Sequence, residues 1–150
     1  MPPDAPRALW TDRAIRARRV LNWMNLATPL GLAVAKAGRA RIERGPHGLL
    51  LARDYRLSVP APRAPALTIG DVVLVRLSDE RLARRPRLLD HEARHAFQYA
   101  RWLGPVGFLP AYLLASAWSW VRTRDFALGN HFEVRADLVE GGYVKRPPEG

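Results

Sequence analysis

The spacing of apolar residues divides this chain into helical and extended stretches. Trp10, Ala14, Val20, Leu21 and Met24 fall on or near one side of a helix, with arginines between them. Thr11 stands where an N-cap belongs. Residues 40–43 and 49–52 read as short strands around the turn signal Gly45-Pro46-His47-Gly48, which predicts a hairpin. Residues 58–66, SVPAPRAPA, form a proline-rich connector. Leu67 to Ile69 and Val72 to Leu77 predict two more strands, joined at Gly70-Asp71.

The longest clear helical pattern opens near Arg85-Pro86 and closes at Gly104-Pro105. Its positions sort onto three sides. Arg87, Asp90, Arg94, Gln98 and Arg101 make a solvated stripe. Leu89, Ala93, Ala96, Ala100 and Leu103 make an apolar stripe. The third side holds His91, Glu92, His95, Tyr99 and Trp102. Two histidines and a glutamate on a half-buried face are costly unless something satisfies them.

Residues 103–121 carry no charge and lie between Arg101 and Arg122. Gly104, Pro105, Gly107 and Pro110 interrupt the run, so the expectation is a short core helix over 111–121, packed behind the His91–His95 helix. Shallow membrane contact through Trp118 and Trp120 stays open. Further on, Asn130-x-x-Glu133 reads as a capping box for a helix running to Gly141-Gly142.

The 150 residues suit one domain of ordinary size, with residues 1–38 a helical extension packed on it. No cysteine is present, so disulfides, thiolate ligands and thiol nucleophiles are excluded. Formal charge is +10, almost all of it from arginine; lysine occurs only at 36 and 145. That balance favours anionic partners, yet no nucleic-acid motif accompanies it. The N-terminal stretch lacks the pattern of a clear signal peptide, so the expected location is cytoplasmic or peripheral to a membrane.

His91-Glu92-Ala93-Arg94-His95 gives these elements their chemistry. Residues four apart on a helix share a face, so both imidazoles can reach one zinc ion. The intervening glutamate is placed to take a proton from water polarised by that ion. A third protein ligand is still needed. Glu133 would complete a His2Glu set, and Asp137, four residues on, would hold the outer ring nitrogen of a zinc-bound histidine. Asp90 and Glu140 are other carboxylates within consideration, the first on the solvated stripe and the second at a helix end. His131 and His47 read as surface and turn residues.

H-E-x-x-H followed some tens of residues later by E-x-x-x-D resembles the gluzincin metallopeptidases, at the scale of the minigluzincins. It also resembles the peptidase-like core domain found near extracellular contractile injection systems. The core-domain pattern has a T-x-G turn, a strand, a polar loop and then L-L-x-H-E-x-x-H-x-x-Q. Thr68, Gly70, Leu88, Leu89, His91, Glu92, His95 and Gln98 fit it, and the likeness covers roughly residues 66–140. It implies an α+β, minimal zincin-like fold, with a small sheet beside the H-E-x-x-H helix and a second ligand-bearing helix. It also implies zinc held by His91, His95 and Glu133, Glu92 as catalytic base, and a peptide or protein substrate. Two other readings stand beside it: a non-catalytic, zinc-stabilised interaction or toxin-associated module, and a basic membrane-peripheral protein whose H-E-x-x-H is accidental.

Overall fold

A computed structural model describes residues 10–56, 64–138, 141 and 143–144. Most of the proline-rich connector, Glu140 and Gly142 lie outside the described residues.

The fold is α+β, built on a small mixed sheet. Strands β1 (Arg41–Arg44), β2 (Leu50–Arg53), β3 (Ala66–Ile69) and β4 (Val72–Val75) lie in the order β1-β2-β4-β3. Both hairpins are antiparallel, β1 with β2 and β3 with β4. The two inner strands, β2 and β4, run parallel, with Leu51 opposite Val73. All four residues of β4 are buried. Such an uninterrupted apolar run is what a strand needs when both of its faces are covered.

Among the described residues, six helices accompany this sheet: α1 (Asp12–Met24), α2 (Ala27–Ala37), α3 (Asp79–Ala83), α4 (Leu88–Arg101), α5 (Pro105–Thr123) and α6 (His131–Ala136). Val73 and Val75 pack with Leu49, Leu51 and Ala66 against Leu88, Ala93 and Ala96 of α4. Val72 and Leu74 face the other way, onto Ala35 and Ala52, with Leu32 and Val34 of α2 beside them. The alternation along β4 thus sends successive side chains into two separate cores. A third core joins Ala27, Tyr99, Phe108 and Phe132, where α2, α4, α5 and α6 meet.

The Asp71 carboxylate, at the β3–β4 turn, is fully enclosed and ties the N-terminal helices to the sheet. It accepts from Arg18 Nε at 2.9 Å and Asn22 Nδ2 at 3.0 Å, both on α1, and from Thr28 Oγ1 at 3.2 Å on α2. Arg18 is itself buried, so desolvation depresses its pKa while Asp71 works against that shift.

Three expectations change. The helix over 111–121 starts earlier, at Pro105, and continues through Pro110 to Thr123. Pro105 sits at the first helical position, where its missing N–H costs nothing, and Pro110 removes a single backbone bond without ending the helix. Nor is α5 a core helix: of its residues only Phe108, Ser116 and Ser119 are buried. The helix expected to reach Gly141-Gly142 stops at Ala136, because Asp137 takes a positive φ of 79°. Among the described residues no helix is long and apolar enough to cross a membrane.

Candidate metal centre

His91 and His95 stand one turn apart on α4, facing α6. Their Nε2 atoms lie 3.1 Å from each other. Glu133, in the first turn of α6, brings Oε2 to 3.3 Å from His91 Nε2 and 3.4 Å from His95 Nε2. Three ligands placed tetrahedrally around zinc at ~2.0–2.1 Å stand about 3.3 Å apart, so this triangle has the size of a zinc ligand set. No residue of the triangle is more than 7% exposed.

The outer ring nitrogens fix the proton positions. His91 Nδ1 meets the Asp137 main-chain oxygen at 2.8 Å, and His95 Nδ1 meets Gln98 Oε1 at 2.8 Å. A carbonyl oxygen only accepts, so each Nδ1 carries the hydrogen. Gln98 is oriented in turn, since its Nε2 donates to the Phe132 carbonyl at 2.9 Å. In their neutral forms both imidazoles therefore point a lone pair inward. Glu133 Oε2 does the same, and is buried without a hydrogen-bond donor. Three acceptors converging in a dry site repel one another unless a cation, either a proton or a metal ion, lies among them.

Without a metal ion that cation is a proton. Burial works against charge on His95, but the adjacent Glu133 carboxylate, with Glu92 and Gln98 adding to it, raises the pKa to about 9. Burial likewise works against the Glu133 carboxylate, and the two imidazoles overcome that, holding it well below the ordinary carboxylate range. The second oxygen of Glu133, Oε1, accepts from the Tyr112 hydroxyl of α5. Desolvation, then the neighbouring Glu133, pushes the Tyr112 pKa far up, so that hydroxyl keeps its proton. The main chain at Gly141 closes over His91. A Cβ there would come within 2.6 Å of the imidazole Cε1, so no larger residue fits without moving the ring.

Glu92 is not one of the three converging side chains. Its Oε2 accepts from Thr68 Oγ1 of β3 at 2.5 Å. The side chain is buried, and its charge acts on His95, Tyr112 and Tyr143. The H-E-x-x-H pattern thus separates into two histidines on the triangle and a carboxylate braced by the sheet.

Other sequence expectations fall differently. Asp137 does attend His91, through its main-chain oxygen where a carboxylate was expected, because the chain has already left the helix there. Asn130 caps α6 by accepting from Phe132 N at 2.9 Å, while Glu133 points into the triangle and not back to the cap. Gln98 leaves the solvated stripe that its spacing predicts and bridges His95 to α6. Asp90 pairs with His47 at 2.7 Å, so both have structural partners away from the triangle. His131 is exposed. Tyr112 carried no motif; its only signal was a lone phenol in an uncharged helical run, where a buried hydroxyl needs a partner.

Comparison of the chain with protein-family models, with curated proteins and with solved structures finds no match.

Proposed function

We propose that this chain is a zinc-dependent peptidase of minimal gluzincin type. The observation that carries the reading is the inward convergence of three buried acceptors whose outer hydrogens are already committed. A soft-to-borderline cation with a preference for two imidazoles and a carboxylate fits that donor set. His91, His95 and Glu133 would hold it. Zinc, when bound, polarises a carbonyl and lowers the pKa of water toward ~7.

The chain's own groups supply the rest. Gln98 and the Asp137 carbonyl fix both ring orientations. Tyr112 holds Glu133 by its second oxygen. Thr68 occupies Oε2 of Glu92, so Oε1 is the atom that takes the proton from the attacking water and returns it to the departing amine. Metal analysis of the purified protein, followed by incubation with a broad peptide library with and without chelator, tests this. Stoichiometric zinc with chelator-sensitive cleavage is expected. Absence of bound zinc after reconstitution defeats the reading.

One observation favours a second reading, a zinc-stabilised module without catalysis. The triangle is almost wholly enclosed, and two surface depressions among the described residues, one lined by Arg53, Tyr55 and Arg76 and one by Leu77, Arg81 and Arg85, share no residue with it. Stoichiometric zinc with no cleavage across the library would select this module.

A further inference from the structure

Helix α5 is amphipathic the wrong way round for a helix facing water. Its inward side carries polar groups beside the buried Phe108. Tyr112 bonds to Glu133, Ser116 accepts from Asn130 Nδ2 at 2.8 Å, and Ser119 accepts from Gly129 N at 2.8 Å and donates to the Asp125 carbonyl at 2.6 Å. Its outward side carries Val106, Leu113, Leu114, Trp118 and Val121, each between 60% and 85% exposed. No charged residue interrupts the sequence from Trp102 to Val121. Scattered apolar residues on a surface are ordinary, but a continuous helix face of them marks something that covers it.

The face extends past the end of the helix. Gly104, at φ 69°, starts α5 in close contact with Asn25, which also donates to the Tyr99 carbonyl at 3.2 Å. The turn between α1 and α2 therefore abuts the turn between α4 and α5. Trp23, Met24 and Leu26 on the first turn and Trp102 and Leu103 on the second are all exposed. Exposed arginines stand at both ends of the uncharged run, Arg101 before it and Arg122 and Arg124 after it, and the Arg122 guanidinium lies 5.8 Å from the Trp118 ring.

We propose that this face docks on the surface of an anionic lipid bilayer, with α5 lying in the interface. An apolar helix face rimmed by arginine and rich in tryptophan suits the boundary between headgroups and acyl chains. The net charge of +10 complements acidic headgroups. The same charge opposes a second copy as the occupant, since pairing would bring two sets of rim arginines together. The inward side of α5 places Tyr112 on the Glu133 carboxylate, so the docking helix is also a wall of the His91–His95–Glu133 cluster. The inference stands whether or not that cluster is catalytic.

Co-sedimentation of the full chain with vesicles of phosphatidylcholine alone, and with added phosphatidylglycerol, tests it. Binding to the acidic vesicles is expected, with binding to the neutral ones much weaker. Leu113→Asp, Leu114→Asp and Trp118→Asp together should weaken that binding at least about tenfold, with circular dichroism unchanged. Arg101→Ser with Arg122→Ser should narrow the preference for acidic vesicles. Failure to bind either vesicle overturns the inference. So does binding unaffected by the triple replacement, or a lipid-free dimer that the triple replacement dissolves. Should the triple variant not fold, brominated acidic vesicles decide the matter on the unaltered chain. Quenching of tryptophan emission is expected, and its absence overturns the proposal.

Discussion

Gln98 joins His95 to the helix that carries Glu133. Its Oε1 accepts from His95 Nδ1 at 2.8 Å, and its Nε2 donates to the carbonyl of Phe132, the residue before Glu133. One side chain thus sets the tautomer of one candidate ligand and the position of another. Gln98→Ala should weaken zinc binding about 10–100-fold, the usual effect of removing a group that orients a ligand. A competition titration against a chromophoric chelator measures it. Wild-type affinity in the variant would show that His95 needs no such support.

Glu92 is expected to move protons and not to bind metal. Glu92→Gln keeps the shape and removes the acceptor, so the variant should retain zinc. It should lose about 10²–10⁴-fold in any peptidase rate, the typical worth of a general base. Zinc content and cleavage rate are measured on the same sample. Loss of zinc would make Glu92 a ligand and reverse the assignment.

Metal removal should destabilise the fold. A ligand present at about 1,000 times its Kd adds roughly 4 kcal/mol. For a chain of this length about 2–4 °C of Tm accompanies each kcal/mol, so chelation should lower Tm by roughly 8–16 °C. Calorimetry with and without chelator, with metal loss verified, gives the answer. Coincident curves would exclude a metal ion that contributes to stability.

In the metal-free protein, stability should depend on pH through His95. Its pKa is raised to about 9 in the folded state, against an ordinary value of 6.5. A raised pKa means that the folded state holds the proton more tightly. The contribution is therefore complete below about pH 6.5 and is lost as pH rises through about 9. Glu133 is the partner in the same interaction, so its depressed pKa describes the same energy from the acid side, lost as pH falls through the carboxylate range. Urea midpoints of chelated protein between pH 6 and 10 should fall with pH. A flat profile would mean that folding leaves the His95 pKa at its ordinary value.

Much of the centre was legible in local spacing. The four-residue step from His91 to His95 on a helix puts two imidazoles on one face whatever surrounds them. Thr11 and Asn130 announced their caps for an equally local reason, and each side chain accepts from a helix N–H. What failed to show were features set at a distance. Tyr112 reaches Glu133 only because α5 folds back beside α6, and nothing near Tyr112 in sequence says so. The positive φ of Asp137, which ends α6 early, goes with a main-chain contact to His91 that the local sequence does not announce. Helix α5 misled for another reason. Apolar composition suggests burial, but it does not say what medium does the burying.

The enclosed Asp71 bears on how far the chain can be shortened. Its donors come from Arg18, Asn22 and Thr28, all within the first two helices, while Asp71 belongs to the hairpin that braces Glu92. A fragment beginning near residue 40 would keep every residue of the metal triangle. It would also strip a buried carboxylate of these donors and uncover Val72 and Leu74. The segment with the least chemistry of its own is therefore inseparable from the part that has it. An isolated motif-bearing half would therefore carry a buried charge without its donors and an uncovered sheet face, two costs that the full chain does not bear.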